Sequence, residues 1–241
     1  MNKIKSIIIL ITFLTIAFSV VSCHTHSHDM QSRFVTVMTN EGEGAAYAQG
    51  YPYYFVTDDS LILFPVNHMQ YPEFKPKANG RGLASFCDEH KPTTTPPKGT
   101  KNIEILEYKS LLVRDVLYTD QIDTTGTDKT TLLGAWYSGG VYGAKRMINF
   151  EIQILTQNLP FAHVIELAVD TTKEQPVVDS EGYYCLEFRH NAGKNAGGSY
   201  TLIDQAAFPL TEAMTADGVK GLKVTFDTLS EGIQEYKLNY K

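Results

Sequence analysis

Apolar positions along this chain fall into two rhythms. Residues 7–21 form one apolar block without a charge, whereas the chain beyond residue 32 breaks into short runs in which apolar and polar positions often alternate. Alternation with a period of two marks strands that bury one face. Runs at residues 33–38, 53–57, 61–66, 81–88 and 103–116 predict five strands, the last a long one interrupted by a bulge. Asp58-Asp59-Ser60 supplies a hairpin turn between the second and third, and Asn79-Gly80 a turn before the fourth. Residues 71–76 (YPEFKP) carry too much proline for a central strand, and residues 91–100 form a proline and threonine loop. Five such strands suit a small closed barrel of the OB type.

A polar, threonine-rich link follows at residues 119–131, and beyond it the rhythm resumes. Runs at 132–137, 146–154, 162–168, 183–190, 199–208, 222–227 and 235–240, separated by turn clusters, predict an antiparallel β-sandwich. The expected class is therefore all-β. An N-terminal OB-like barrel occupies residues 33–118, and a C-terminal antiparallel β-sandwich occupies residues 119–241.

The opening block has a different meaning. Lys3 and Lys5 precede it, small Ser22 and then Cys23 end it, and it is shorter than the roughly 20 residues a membrane-spanning helix needs. Residues 1–22 thus read as a cleaved signal peptide, and the ending resembles a bacterial lipoprotein lipobox. That resemblance implies that Cys23 becomes the mature N-terminus and carries acyl chains. One chain, at about 0.8 kcal/mol per buried methylene, holds a protein only marginally, whereas two or more anchor it. Residues 23–32 then form a lipidated polar tether, and the first expected partner is a membrane, reached through the anchor at Cys23.

Composition narrows the rest. Hydrophobic residues at 43% and charged residues at 20% describe an ordinary globular chain. The net charge of −6 falls to about −8 once the leader takes Lys3 and Lys5 with it, which argues against nucleic acid as a partner. With Cys23 lipidated, Cys87 and Cys185 remain, in different predicted domains. Two separate buried thiols are the preferred reading over a disulfide, and neither cysteine sits in a Cys-x-x-Cys pattern.

Four stretches together resemble the NigD-like lipoproteins of Bacteroides-type bacteria. They are the lipobox at Cys23, YYFVTDDSLILFPVN (residues 53–67), LLVRDV (111–116), and CLEFRHNA (185–192) with its later Phe208-Pro209-Leu210 segment. The resemblance implies an OB-like barrel followed by a β-sandwich, and a place in the cell envelope on the outer membrane. It carries no catalytic residues. The tether has histidines where surface-displayed lipoproteins of these bacteria often carry acids, so the periplasmic face and the cell surface both stay open.

Candidate chemistry is sparse. His24, His26 and His28 with Asp29 are the densest metal-like cluster, but a tether offers no supporting shell, and a solvated linker is the preferred reading, with no metal and no cofactor expected. Arg189-His190-Asn191 invites a catalytic reading, yet no Gly-x-Ser-x-Gly elbow or His-Glu-x-x-His helix accompanies it. A structural turn pinned by hydrogen bonds is preferred there. Asp58-Asp59 and Asp88-Glu89 read as solvated turn acids. Trp136, Tyr137 and Tyr142 around one turn, with Tyr47, Tyr51 and Tyr53 around another, are the aromatics placed to stack on a ligand. The expectation is a lipid-anchored binding or accessory protein without catalysis, addressing a glycan or an envelope protein. The alternatives are an assembly subunit and a metal-assisted hydrolase.

Overall fold

The computed structural model describes residues 29–89, 96–157, 163–172 and 177–240. The leader, Cys23 and the tether histidines His24, His26 and His28 lie outside the described residues. The fold is all-β. Strands β1 (Gln31–Thr39), β2 (Tyr53–Thr57), β3 (Ile62–Pro65), β4 (Gly80–Asp88) and β5 (Thr100–Ser110) close a barrel in the order β1-β2-β3-β5-β4. β1 closes it by pairing along both edges, Val35 opposite Thr57 on β2 and Arg33 opposite Ala84 on β4. β3 and β5 run parallel, as expected when a crossover rather than a hairpin links the two halves of an OB barrel.

Alternation works where one face meets water and fails where neither does. Every residue of β2 and of β3 is buried, and the matching sequences YYFVT and ILFP are nearly continuous apolar runs. Their inner face joins Val35, Val37, Phe86 and Ile103 in the barrel core. Their outer face packs with Met38, Ala48 and Ala144 in a second cluster. Ala144 belongs to the loop between two strands of the second sheet, so the two halves of the chain share this cluster.

The chain changes sheet after Ser110. Leu111 donates its N–H to the Arg81 carbonyl, and β6 (Leu112–Val113) then pairs in parallel with Ala206 and Ala207. The expected single strand over residues 103–116 is therefore two strands in different sheets. The apolar pattern runs unbroken across the junction because Leu112 and Val113 also pack partly buried, so periodicity has nothing to register.

The second sheet adds β7 (Leu117–Thr119), β8 (Thr130–Ser138), β9 (Met147–Thr156), β10 (Val164–Asp170) and β11 (Tyr183–Asn191). It ends with β12 (Tyr200–Pro209), β13 (Gly221–Thr228) and β14 (Gly232–Asn239). The path β6-β12-β9-β8-β13-β11-β10-β7, with β14 on β13, folds over one core. Its two leaves meet at a single pairing, Thr130 opposite Thr228. Antiparallel pairing joins β8 to β9, β9 to β12, β10 to β11 and β13 to β14, whereas β11 and β13 run parallel. Inward residues of β9, β11 and β13 meet in an aromatic centre. Phe188 stacks on Phe226 at 4.5 Å, and Phe150 sets its edge against both. Cys87 in the barrel and Cys185 in the sandwich form no disulfide. Among the described residues no helix is long and apolar enough to cross a membrane.

Candidate functional site

The β2–β3 face with its neighbouring loops is where OB barrels commonly take ligands, and here much of that surface is spent on joining the two sheets. Arg81, directly after the Asn79-Gly80 turn, has no solvent exposure. Its Nη1 and Nη2 donate to the two carboxylate oxygens of Asp58 at 2.7 and 2.9 Å, Nη1 also reaches Thr36 Oγ1, and Nε donates to Asn149 Oδ1 at 3.0 Å. Asn149 lies on β9 and donates in turn to the Trp136 carbonyl and to Ser138 Oγ. Asp58 Oδ2 also accepts from Trp136 Nε1 at 2.7 Å. Asp58 is thus no solvated turn acid. It is the acceptor that satisfies a buried guanidinium and an indole at once, a charge-assisted two-pronged contact.

The aromatics singled out in the sequence separate into distinct roles. Trp136 turns toward the barrel, where its ring lies 5.0 Å from Phe34. Tyr137, its neighbour on the strand, donates to the Leu238 carbonyl at 2.7 Å and packs on Tyr240. Tyr142, at a φ of 53°, lends its carbonyl to the Tyr54 hydroxyl and sets its ring edge to Tyr47 at 5.4 Å. Tyr51 stacks on Phe64 at 4.9 Å. The structure brings Tyr47 and Tyr142 together and keeps Tyr137 apart from them. Trp136 and Tyr137 do border a groove of about 350 Å³ with Arg146 and Lys237. Its polar groups already have partners: the indole has Asp58, the Tyr137 hydroxyl has Leu238, Lys237 has Glu181 at 2.7 Å, and Arg146 lies over the Tyr240 ring.

Arg189, His190 and Asn191 end β11. Arg189 reaches Glu187 on the same face at 2.7 Å, and Asn191 Oδ1 accepts the Gly193 N–H that opens the turn. His190 is buried, and its Nε2 meets His163 Nδ1 at 2.8 Å with the rings stacked 11° from parallel. Asp128 brackets the same corner, its N–H donating to the His190 carbonyl and its carboxylate accepting from Ala192. Burial first, and the His163 ring second, hold the His190 imidazole below its usual pKa, against a smaller opposite pull from Asp128. Gly126, at a φ of 117°, sits where a Cβ would lie 2.5 Å from the His190 carbonyl oxygen.

A further pocket, which strand counting did not reveal, opens between β2, β5 and the connector after β3. It measures about 300 Å³ and is walled by Tyr53, Tyr71, Phe74, Ile105 and Tyr108, with Glu73 and Glu107 beside it. The connector is fastened to β5 in the manner of a strand. Asn67 exchanges two hydrogen bonds with the backbone of Ile105, and Tyr71 donates to the same carbonyl at 3.0 Å. Phe74 wedges between Tyr53 at 5.1 Å and Tyr108 at 5.0 Å. Tyr108 needs Gly82 beneath it, since a Cβ there would come within 2.3 Å of the ring. The Tyr53 hydroxyl is sealed from solvent and has no hydrogen-bond partner among the described residues. Burial chiefly, and Tyr71 beside it, push the Tyr53 phenol up to about 12, so it stays protonated at neutral pH. An unsatisfied buried hydroxyl costs on the order of 1–3 kcal/mol. The available signal was Tyr71 and Phe74 in a proline-flanked loop, because aromatics that cannot enter a strand must pack elsewhere.

Fold and geometry define a two-part β protein, an OB-like barrel locked to a sandwich, with an aromatic pocket in the barrel. Residues 115–240, more than half of the chain, match the NigD-like C-terminal beta sandwich domain, and the protein belongs to the NigD-like family. Among curated proteins no sequence match was found. The chain is similar in structure to a protein of unknown function from Bacteroides vulgatus, with 20% identity, a TM-score of 0.66, and coverage of 88% of this chain and 91% of that one. A candidate lipoprotein from Bacteroides fragilis is similar at 11% identity and a TM-score of 0.60, covering 88% of this chain and 98% of that one. A NigD-like immunity protein from Bacteroides caccae is similar at 15% identity and a TM-score of 0.57, covering 90% of this chain and 98% of that one. At these identities the likeness is one of fold.

Proposed function

We propose that the protein is a lipid-anchored envelope protein that binds a ligand without transforming it, and that the pocket between Tyr53 and Tyr108 is where it does so. The observation that carries this reading is the concave space of about 300 Å³ lined by the rings of Tyr53, Tyr71, Phe74 and Tyr108. In the Trp136–Tyr137 groove the polar groups are already engaged, so a ligand there would have to displace existing bonds. The non-catalytic part draws support from His190, whose ring faces a second histidine rather than a serine or cysteine nucleophile. The lipobox ending at Cys23 and the likeness to a candidate lipoprotein support anchoring at the outer membrane.

Two measurements test this. Mass spectrometry of the natively expressed protein should find residue 23 acylated and the leader gone; an unmodified thiol or an uncut leader contradicts the anchor. The chain from His24 onward, applied to an array of glycans and envelope proteins, should retain a ligand from one class; silence across both contradicts the binding role.

One observation favours the alternative of an assembly subunit. Tyr200, Leu202 and Ile203 are exposed on β12, and among the described residues β6 covers the outer edge of that strand only at Ala206 and Ala207. An apolar strand edge left open in this way is a template for adding another strand.

A further inference from the structure

We infer that the open edge of β12 is a contact to a second copy of this chain, the two strands pairing antiparallel about a two-fold axis at Leu202. This rests on reading that edge as an assembly surface and is independent of the barrel pocket. Three properties of the strand carry it.

The first is which backbone groups are free. β9 covers β12 along its whole length, from Tyr200 opposite Thr156 to Pro209 opposite Met147. On the other edge the Ala207 carbonyl accepts from the Arg114 N–H, so the odd-numbered residues of β12 turn their N–H and C=O groups that way. The Gln205 N–H, next in that row, is held by Asp204 Oδ1 at 2.8 Å. Thr201 and Ile203 are left, and among the described residues no strand pairs with them on that side. The second is the absence of a guard. Native sheet edges carry a lysine, a proline or a bulge that turns other strands away. Tyr200-Thr201-Leu202-Ile203 has neither charge nor proline, and its pairing with β9 runs without a shift in register. Its apolar side chains are exposed on both faces, Tyr200 and Leu202 on one and Ile203 on the other.

The third is self-complementarity. Antiparallel strands exchange two hydrogen bonds wherever two such residues face one another. With the axis at Leu202, Thr201 of each copy faces Ile203 of the other, and the free groups of both copies are satisfied together. An axis at Ile203 would set Thr201 against Gln205, whose N–H is already taken. The side chains agree with the first choice. Leu202 meets its own counterpart, Ile203 meets Thr201, and the one charge, Asp204, meets Tyr200 rather than another carboxylate. The added strand also ends in time, because Gly198 of the second copy falls level with Ala206, where β6 begins to cover the edge. A standard interface takes about 20–30 residues a side, and residues 200–204 are far fewer, so the dimer is weak in solution. Anchoring both copies at one membrane supplies the effective concentration it needs.

The test is oxidative cross-linking of the full protein in its native membranes, with copper phenanthroline as oxidant. Leu202→Cys, Thr201→Cys and Ile203→Cys are made singly, and the wild type, whose Cys87 and Cys185 are free thiols, sets the background. Leu202→Cys should form a covalent dimer about fivefold more efficiently than either of the others. Only a residue on the axis sits opposite itself, at a Cα separation of about 4.5 Å that a disulfide can span. Thr201→Pro added to Leu202→Cys should abolish the cross-link while the melting temperature holds, since the N–H it removes faces away from β9. That paired readout separates loss of the contact from loss of the fold. Equal cross-linking at all three positions, or a dimer from Ile203→Cys alone, overturns the axis at Leu202. No cross-link at any position overturns the pairing of two copies. If sedimentation velocity then still shows association that Ile203→Lys removes, the edge survives as an assembly surface for another strand, and if it shows none, that reading falls as well.

Discussion

The Arg81 guanidinium holds both carboxylate oxygens of Asp58, at 2.7 and 2.9 Å, from a position with no solvent exposure at all. Arg81 stands on β4 of the barrel and hands its remaining Nε–H to Asn149 of the sandwich, so one buried cation ties the β2–β3 turn to the second sheet. A buried pair of this kind adds little net stability compared with an apolar replacement, but breaking it from one side is expensive.

The two partners should differ in cost. Asp58→Ala leaves a fully buried guanidinium without its counter-charge and should destabilise by about 3–5 kcal/mol. Arg81→Met leaves behind a carboxylate whose side chain is 23% exposed and which keeps the Trp136 N–H, so it should cost clearly less. Urea unfolding of both variants checks the order, and equal costs would contradict it.

His190 predicts a pH dependence. Its folded pKa lies below the unfolded value of 6.5, so the unfolded chain takes up a proton more readily than the folded one as pH falls. The contribution to stability is complete above about pH 6.5 and is lost as pH falls from there through the lower folded value. Unfolding free energies measured from pH 7.5 to pH 5 should decline, and His190→Gln should flatten that decline.

Gly126 should tolerate no side chain. Gly126→Ala places a Cβ 2.5 Å from the His190 carbonyl oxygen at a φ of 117°, and both the clash and the backbone strain oppose it. A loss of about 2 kcal/mol or more is expected in chemical denaturation.

Ile203→Lys probes the open edge of β12. Exposed and away from both sheet cores, it should change stability by no more than about 0.5 kcal/mol. If the protein assembles through this edge, sedimentation velocity of the wild type will show association that the lysine variant lacks. A monomeric wild type would speak for the binding role instead.

Much of this architecture could be read along the chain, because alternation and turn residues are local. Asp58 to Ser60 between two apolar runs marked the β2–β3 hairpin, and Asn79-Gly80 marked the entry to β4. What escaped depends on partners distant in sequence. Nothing near Trp136 announces that its indole will bond Asp58, 78 residues away. Nothing near Leu112 announces that its strand will leave the barrel for Ala206. The parallel pairing of β11 with β13 is likewise invisible to a pattern that reports faces and not neighbours. The barrel pocket escaped for the same reason, since Tyr53, Tyr71 and Tyr108 come from two strands and a connector and meet only once the barrel closes. Tyr47, Tyr51, Trp136 and Tyr142 were conspicuous because they cluster around turns, and they lie where the two halves of the molecule pack.

The claim that the barrel pocket takes the ligand is tested most directly by aromatic NMR of the protein titrated with whatever ligand the array retains. The account predicts that shifts concentrate on the rings of Tyr53, Tyr71, Phe74 and Tyr108, walls of one cup. Shifts confined instead to Trp136, Tyr142 and Tyr47, with those four rings silent, would contradict it.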